Sequence, residues 1–268
     1  MPDAHGITAV LIHGAWAGGW VWDTIAPHLE ARGFRVLAPD LPGCGARLGD
    51  PAKASLTGCV DDLEQQLSAV SGPLLLVGHS GGGAVATQLA EAVSERVIGV
   101  AYLAGMMLPS GMGFGEIVAE MVDQHPEAAG IGPHLEWEAD GLVSRVPATA
   151  IREIFLQDVS DATAAAAIPH FGPQAEGSRT LVPHWTRERF GQLPRLYVEA
   201  RQDRSVVLPV QRRMQQLVPG AQVVSLDTAH VPQVAAPEAV ADILTTFAEE
   251  QVGVTHPATN LPKEKNPQ

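Results

Sequence analysis

The chain has 268 residues, 46% of them hydrophobic, which suits a packed core and excludes a disordered protein. Its formal net charge of −13 argues against nucleic acid and anionic membrane surfaces as partners. The opening MPDAHGITAVLIHG has no Lys or Arg ahead of an apolar run too short for a secretory signal or a membrane span, so a cytoplasmic location without a membrane partner is expected.

Short apolar runs alternate with helical patterns, as in a parallel sheet with crossover helices. A first strand is expected at 7–14 (ITAVLIHG), a helix at 21–32 and a second strand at 34–41 (FRVLAPDL). A helix at 55–70, a strand at 74–79 (LLLVGH), a helix at 81–93 and a strand at 97–104 (VIGVAYLA) follow. Then the alternation stops. From 105 to 194 helical periods such as GEIVAEMVDQ recur without a strand pattern, and Trp137, Phe155, Phe171, Trp185 and Phe190 supply material for a packed body. Lying between two strands, this segment reads as an inserted helical cap over the sheet's C-terminal edge. The pattern resumes with strands at 195–200 (RLYVEA) and 222–227 (QVVSLD) and helices at 207–217 and 237–250. The division is a core of 1–104 and 195–250, a cap of 105–194, and a polar, proline-rich tail of 251–268 expected to fray. Cys44 and Cys59 lack metal-ligand spacing and are expected as free thiols.

The stretch Gly78-His79-Ser80-Gly81-Gly82 fits G-x-S-x-G between a strand and a helix, the context in which that motif exposes a nucleophilic serine. Glycines two residues before and after Ser80 avoid collision with the neighbouring strand and helix, and close helix–strand approach accounts for Gly81 and Gly83. A phosphate loop would need a lysine that is missing. A dinucleotide fingerprint at Gly81-x-Gly83-x-x-Ala86 lacks an acidic residue about twenty positions on. A serine needs a base. His230, just after the last strand, lies on the same sheet edge as Ser80, whereas adjacent His79 points away and reads as structural. Asp203, after the preceding strand, suits the orienting carboxylate. Asp227 is too near His230 in sequence, Glu199 lies within its strand, and Asp40 holds its own loop, with a backup role left open. The oxyanion donors are assigned to the backbone N–H groups of Ala15 and Gly81, with Gly14 allowing close approach and His13 bracing the turn. Gly14, Trp16, Trp20, Trp137 and Trp185 are candidates for an apolar substrate pocket, with core packing the competing role for each aromatic.

The blocks LIHGAWAGGWVWDTIAPHLEARGFRVLAPDLPGCG, LLLVGHSGGG, AYLAGMMLPSG, VEARQDRSVVLPVQRRM and DTAHVPQVAAPEAV together resemble the α/β-hydrolase branch of plant methylesterases, hydroxynitrile lyases and bacterial esterases. The resemblance implies a six-stranded, mostly parallel sheet with helices on both faces, a triad of Ser80, Asp203 and His230, and no metal or organic cofactor. It points to a carboxylesterase acting on a small, largely apolar ester through an acyl-enzyme. A lyase or C–C bond hydrolase on the same triad, or a non-catalytic small-molecule receptor, is the alternative. The lyases of this branch carry threonine and lysine where this chain has Gly14 and Val231, which speaks against cyanohydrin cleavage. Gly81 stands where the plant esterases carry a larger apolar residue. Oligomeric state is unreadable, and a homodimer stays open.

Overall fold

The computed structural model describes residues 6–253; the expected tail therefore lies outside the described residues from 254 onward. Six parallel strands form the main sheet in the order β2-β1-β3-β4-β8-β9: β1 (Thr8–Ile12), β2 (Arg35–Leu37), β3 (Leu74–His79), β4 (Val97–Leu103), β8 (Arg195–Ala200) and β9 (Gln222–Leu226). The strand order turns back at β1, so β1 and β3 lie side by side and the loops after them share one edge.

Period-2 side-chain alternation sorts the central strands into two cores. Val10, Ile12, Leu74, Leu76, Val100, Tyr102 and Tyr197 face one cluster, which also holds residues of α2 (Leu56–Leu67), α3 (Gly82–Ala92) and α7 (Leu208–Leu217). Ala9, Leu11, Leu75, Val77, Ala101, Leu103, Leu196 and Val198 face the other, with residues of α1 (Ala26–Glu30) and α9 (Pro237–Gln251). Burial on both faces explains why these strands are apolar throughout.

Between β4 and β8 the inserted segment holds α4 (Phe114–Met121), α5 (Ala148–Ala150, continued by a π-turn at Ile151–Phe155) and α6 (Asp161–Ala167). It also contains a small antiparallel sheet that the sequence pattern does not reveal, made of β5 (Glu136–Trp137), β6 (Val143–Arg145) and β7 (Gln174–Ala175). A third apolar cluster joins this segment to the core. Ile131, Val146, Ile151, Ile154 and Phe155 pack there with Trp16 and Val231, which come from the loops after β1 and β9. Short α8 (Pro232–Ala235) follows the second of these loops. Cys44 and Cys59 are buried free thiols. No helix among the described residues is long and apolar enough to cross a membrane.

Candidate active site

Ser80 occupies the turn from β3 into α3 with φ of 51°, a left-handed conformation that costs a non-glycine residue about 1–3 kcal/mol. Surrounding hydrogen bonds hold it there. Its N–H donates to the Leu103 carbonyl at 3.2 Å, and its carbonyl accepts from the N–H groups of Met106 at 2.8 Å and Gly83 at 3.0 Å. The flanking glycines are steric necessities. A Cβ on Gly78 would stand 2.6 Å from the Gly82 carbonyl oxygen, and one on Gly82 would stand 2.3 Å from that of Ile12. On Gly83 it would meet the Met106 backbone at 2.7 Å, which is the close approach expected from the sequence. Gly81 departs from that expectation. A Cβ there would find only the Ala15 amide nitrogen, at 3.8 Å, so the missing side chain leaves open space beside the serine.

The structure brings His230 and Asp203 together. His230 Nδ1 donates to Asp203 Oδ2 at 2.7 Å, and both side chains are almost wholly buried. Asp203 Oδ1 accepts the N–H groups of Ser205 at 2.7 Å and Val206 at 2.9 Å, so the carboxylate is fixed by three donors. With its proton on Nδ1, His230 carries an unprotonated Nε2. Two further contacts hold the His230 loop: Ala229 N–H donates to Asp158 Oδ2 at 2.7 Å, and His79 Nε2 donates to the His230 carbonyl at 2.7 Å. His79 thus ties the Ser80 turn to the His230 loop. Burial, reinforced by repulsion from His230, holds the His79 imidazole well below its ordinary pKa and therefore neutral. Neither Asp158 nor this His79 contact is marked by any sequence motif.

The loop after β1 carries Ala15. His13 braces it: Nδ1 donates to the Gly14 carbonyl at 2.8 Å, and Nε2 accepts the Leu41 N–H at 2.9 Å. Gly14 packs on the serine itself, since a Cβ there would lie 2.8 Å from the Ser80 Cβ. Asp40 accepts the Gly19 N–H at 2.7 Å and so holds this loop. The other rival carboxylates are engaged elsewhere, Glu199 with Arg212 and Ser225, and Asp227 with Arg201.

The aromatic candidates separate. Trp16 stacks on Phe155 at 6.4 Å between ring centroids, and Phe155 lies 4.9 Å from the His230 ring, so an apolar roof reaches His230. Trp20 packs against His170 and Phe171. Trp137 is 47% exposed and covers the Arg179 guanidinium, while Trp185 donates to the Leu108 carbonyl and packs edge-on against Phe190. Neither belongs to the apolar cluster that joins Trp16 to Phe155. Among the described residues no group of three or more His, Cys, Asp or Glu side chains could hold a metal ion.

A family model described as the alpha/beta hydrolase family matches residues 9–243. The chain belongs to that family. Over 93% of this chain and 90% of the relative, it is 34% identical to a pyrethroid hydrolase of Sphingobium wenxiniae. It is 23% identical to methylesterase 8 of Arabidopsis thaliana, over 90% of this chain and 89% of the relative. A crystal structure of a pyrethroid hydrolase from Sphingobium faniae superposes with a TM-score of 0.78 at 29% identity, covering 92% of this chain and 99% of that one. These relatives place the chain among the carboxylic ester hydrolases of the family.

Proposed function

We propose that this carboxylesterase works through Ser80, His230 and Asp203 on small, largely apolar esters. His230 Nε2 takes the Ser80 proton as Oγ attacks the ester carbonyl. The N–H groups of Ala15 and Gly81 receive the oxyanion, the second from the start of α3, where free amides and the helix dipole favour negative charge. His230 then protonates the leaving alcohol, and water activated by the same imidazole releases the acid. The observation that carries this reading is the Nδ1–Oδ2 hydrogen bond of 2.7 Å, which fixes the tautomer in which Nε2 can accept a proton.

An apolar ester suits the surroundings, because Trp16, Phe155 and Val231 share the cluster above the base. Val231 is 2% exposed within it and offers no charge to a leaving cyanide, which weighs against the lyase alternative. The test is a panel of esters varied in acyl and alcohol size, with a pyrethroid included because a relative is named for one. Ser80→Ala should lose at least about 10³-fold in kcat on every ester the parent protein cleaves. Turnover retained by the pure variant would overturn the mechanism.

A further inference from the structure

Every polar group of Trp16 is taken by the inserted cap. Its N–H donates to Gln174 Oε1 at 3.1 Å, its indole Nε1 donates to Ser144 Oγ at 3.1 Å, and its carbonyl accepts the Gly172 N–H at 2.8 Å. Gln174 and Ser144 belong to β7 and β6, paired neighbours in the small sheet. Trp16 directly follows Ala15, and its φ of 60° puts it in the left-handed region, a conformation that tryptophan does not hold unaided. The loop carrying a candidate oxyanion donor is therefore held in a strained shape by side chains from the cap.

Gln174 is built for that task. It is wholly buried, and all four of its amide hydrogen-bonding positions are used. Oε1 accepts from the Trp16 N–H and from the Cys44 thiol; Nε2 donates to Ser178 Oγ at 2.7 Å and to the Ala175 carbonyl at 3.3 Å. Donors lie on one side and acceptors on the other, so the amide can sit in only one orientation. Burial raises the Cys44 thiol to about 12, so it remains a protonated donor.

We infer that Gln174, assisted by Ser144, is a positioning residue for the oxyanion hole, aiming the Ala15 N–H through Trp16. It touches neither the substrate nor the reacting atoms. The hole is then complete only while the small cap sheet is seated on the core. A donor displaced by a fraction of an ångström fits the ester ground state nearly as well but fits the oxyanion worse, so the loss falls on kcat.

The inference rests on the serine mechanism proposed above, and the experiment keeps the two apart. Gln174→Met, similar in length but without the acceptor, is compared with the parent protein on one ester and with a trifluoromethyl ketone that forms an oxyanion adduct. The expected result is a fall of about 10²-fold in kcat with KM within about twofold. The ketone should lose affinity in parallel with kcat, while a non-electrophilic ketone of the same shape binds unchanged. Ser144→Ala, a milder change, should move the same quantities in the same direction, and it provides the measurement if Gln174→Met does not fold. A kcat within about twofold of the parent protein in the folded variant, or equal losses for both ketones, would overturn the assignment. If Ser80→Ala stays active the serine mechanism itself fails; if Ser80→Ala is dead and Gln174→Met is unimpaired, only the positioning role fails.

Discussion

Asp203 divides its two oxygens between different tasks, and the division predicts what an amide would do in its place. Oδ1 faces two backbone N–H groups and Oδ2 faces His230 Nδ1. In Asp203→Asn the single oxygen must stay against Ser205 and Val206, because an NH2 group there would meet two donors. The NH2 group then faces His230, which has to accept at Nδ1 and carry its proton on Nε2. That tautomer cannot take a proton from Ser80. A fall in kcat on the order of 10⁴-fold is expected, with the thermal midpoint little changed, since shape and most hydrogen bonds survive. Esterase kinetics beside a melting curve check this, and a loss under tenfold would show that the tautomer does not matter.

At the scale of elements, the seating of α3 against β1 explains one glycine near Ser80 and leaves its neighbour to another cause. Gly82→Ala would press a methyl group onto the Ile12 and His13 carbonyl oxygens, 2.3 and 2.5 Å away, and push the helix off the strand. It should cost about 3 kcal/mol or more in urea unfolding and take activity with it. Gly81→Ala meets nothing closer than 3.8 Å and has φ of −55°, so it should fold with a loss under about 1 kcal/mol. Its effect should appear as a lower kcat/KM that worsens with acyl size. Equal stability losses in the two variants would contradict this geometry.

Gly78, Gly82 and Gly83 were legible in the sequence because a strand-to-helix turn around a serine leaves no room for side chains there; Gly81, which the same close approach was expected to explain, has open space instead. The long apolar strands were legible too, lying within about two residues of expectation where both faces are buried. The second strand was not: it ends at Leu37 because Asp40 and Leu41 turn away to hold the loop after β1. The helix expected at 21–32 divides into a 3₁₀ turn at Gly19–Trp22 and α1, with Pro27 near the start of α1. Strands of two or three residues such as β5, β6 and β7 are too short to show a period of two. Gln174 lay hidden for a different reason, since the two donors to its Oε1 are 158 and 130 residues away along the chain.

For the molecule as a whole, two buried histidines set how the fold responds to acid. His13 joins the loops after β1 and β2, and His79 joins the Ser80 turn to the His230 loop. Burial depresses both below the ordinary imidazole value of 6.5, so each stays neutral in the fold, whereas the unfolded chain protonates both near 6.5. Below that pH the unfolded state binds more protons, and stability therefore falls as the pH is lowered. Each group contributes a slope of at most about 1.4 kcal/mol per pH unit until its folded pKa is reached, and His79, held well below the ordinary value, contributes over the wider interval. The paired carboxylates Asp62, Glu91 and Glu199 are all held low and lose their contribution only below their ordinary values of 3.8 to 4.5, which leaves the interval above to the imidazoles. Against a typical total of about 5–15 kcal/mol, this makes pH 5 a destabilising condition while the contacts of these three carboxylates are intact. Urea unfolding at pH 7.5, 6.0 and 5.0 should show the decline, and His79→Gln, whose amide can still donate to the His230 carbonyl, should remove the larger share of the slope. A stability profile flat between pH 7 and pH 5, or a slope in His79→Gln equal to that of the parent protein, would mean that these two imidazoles do not control the acid limit of the fold.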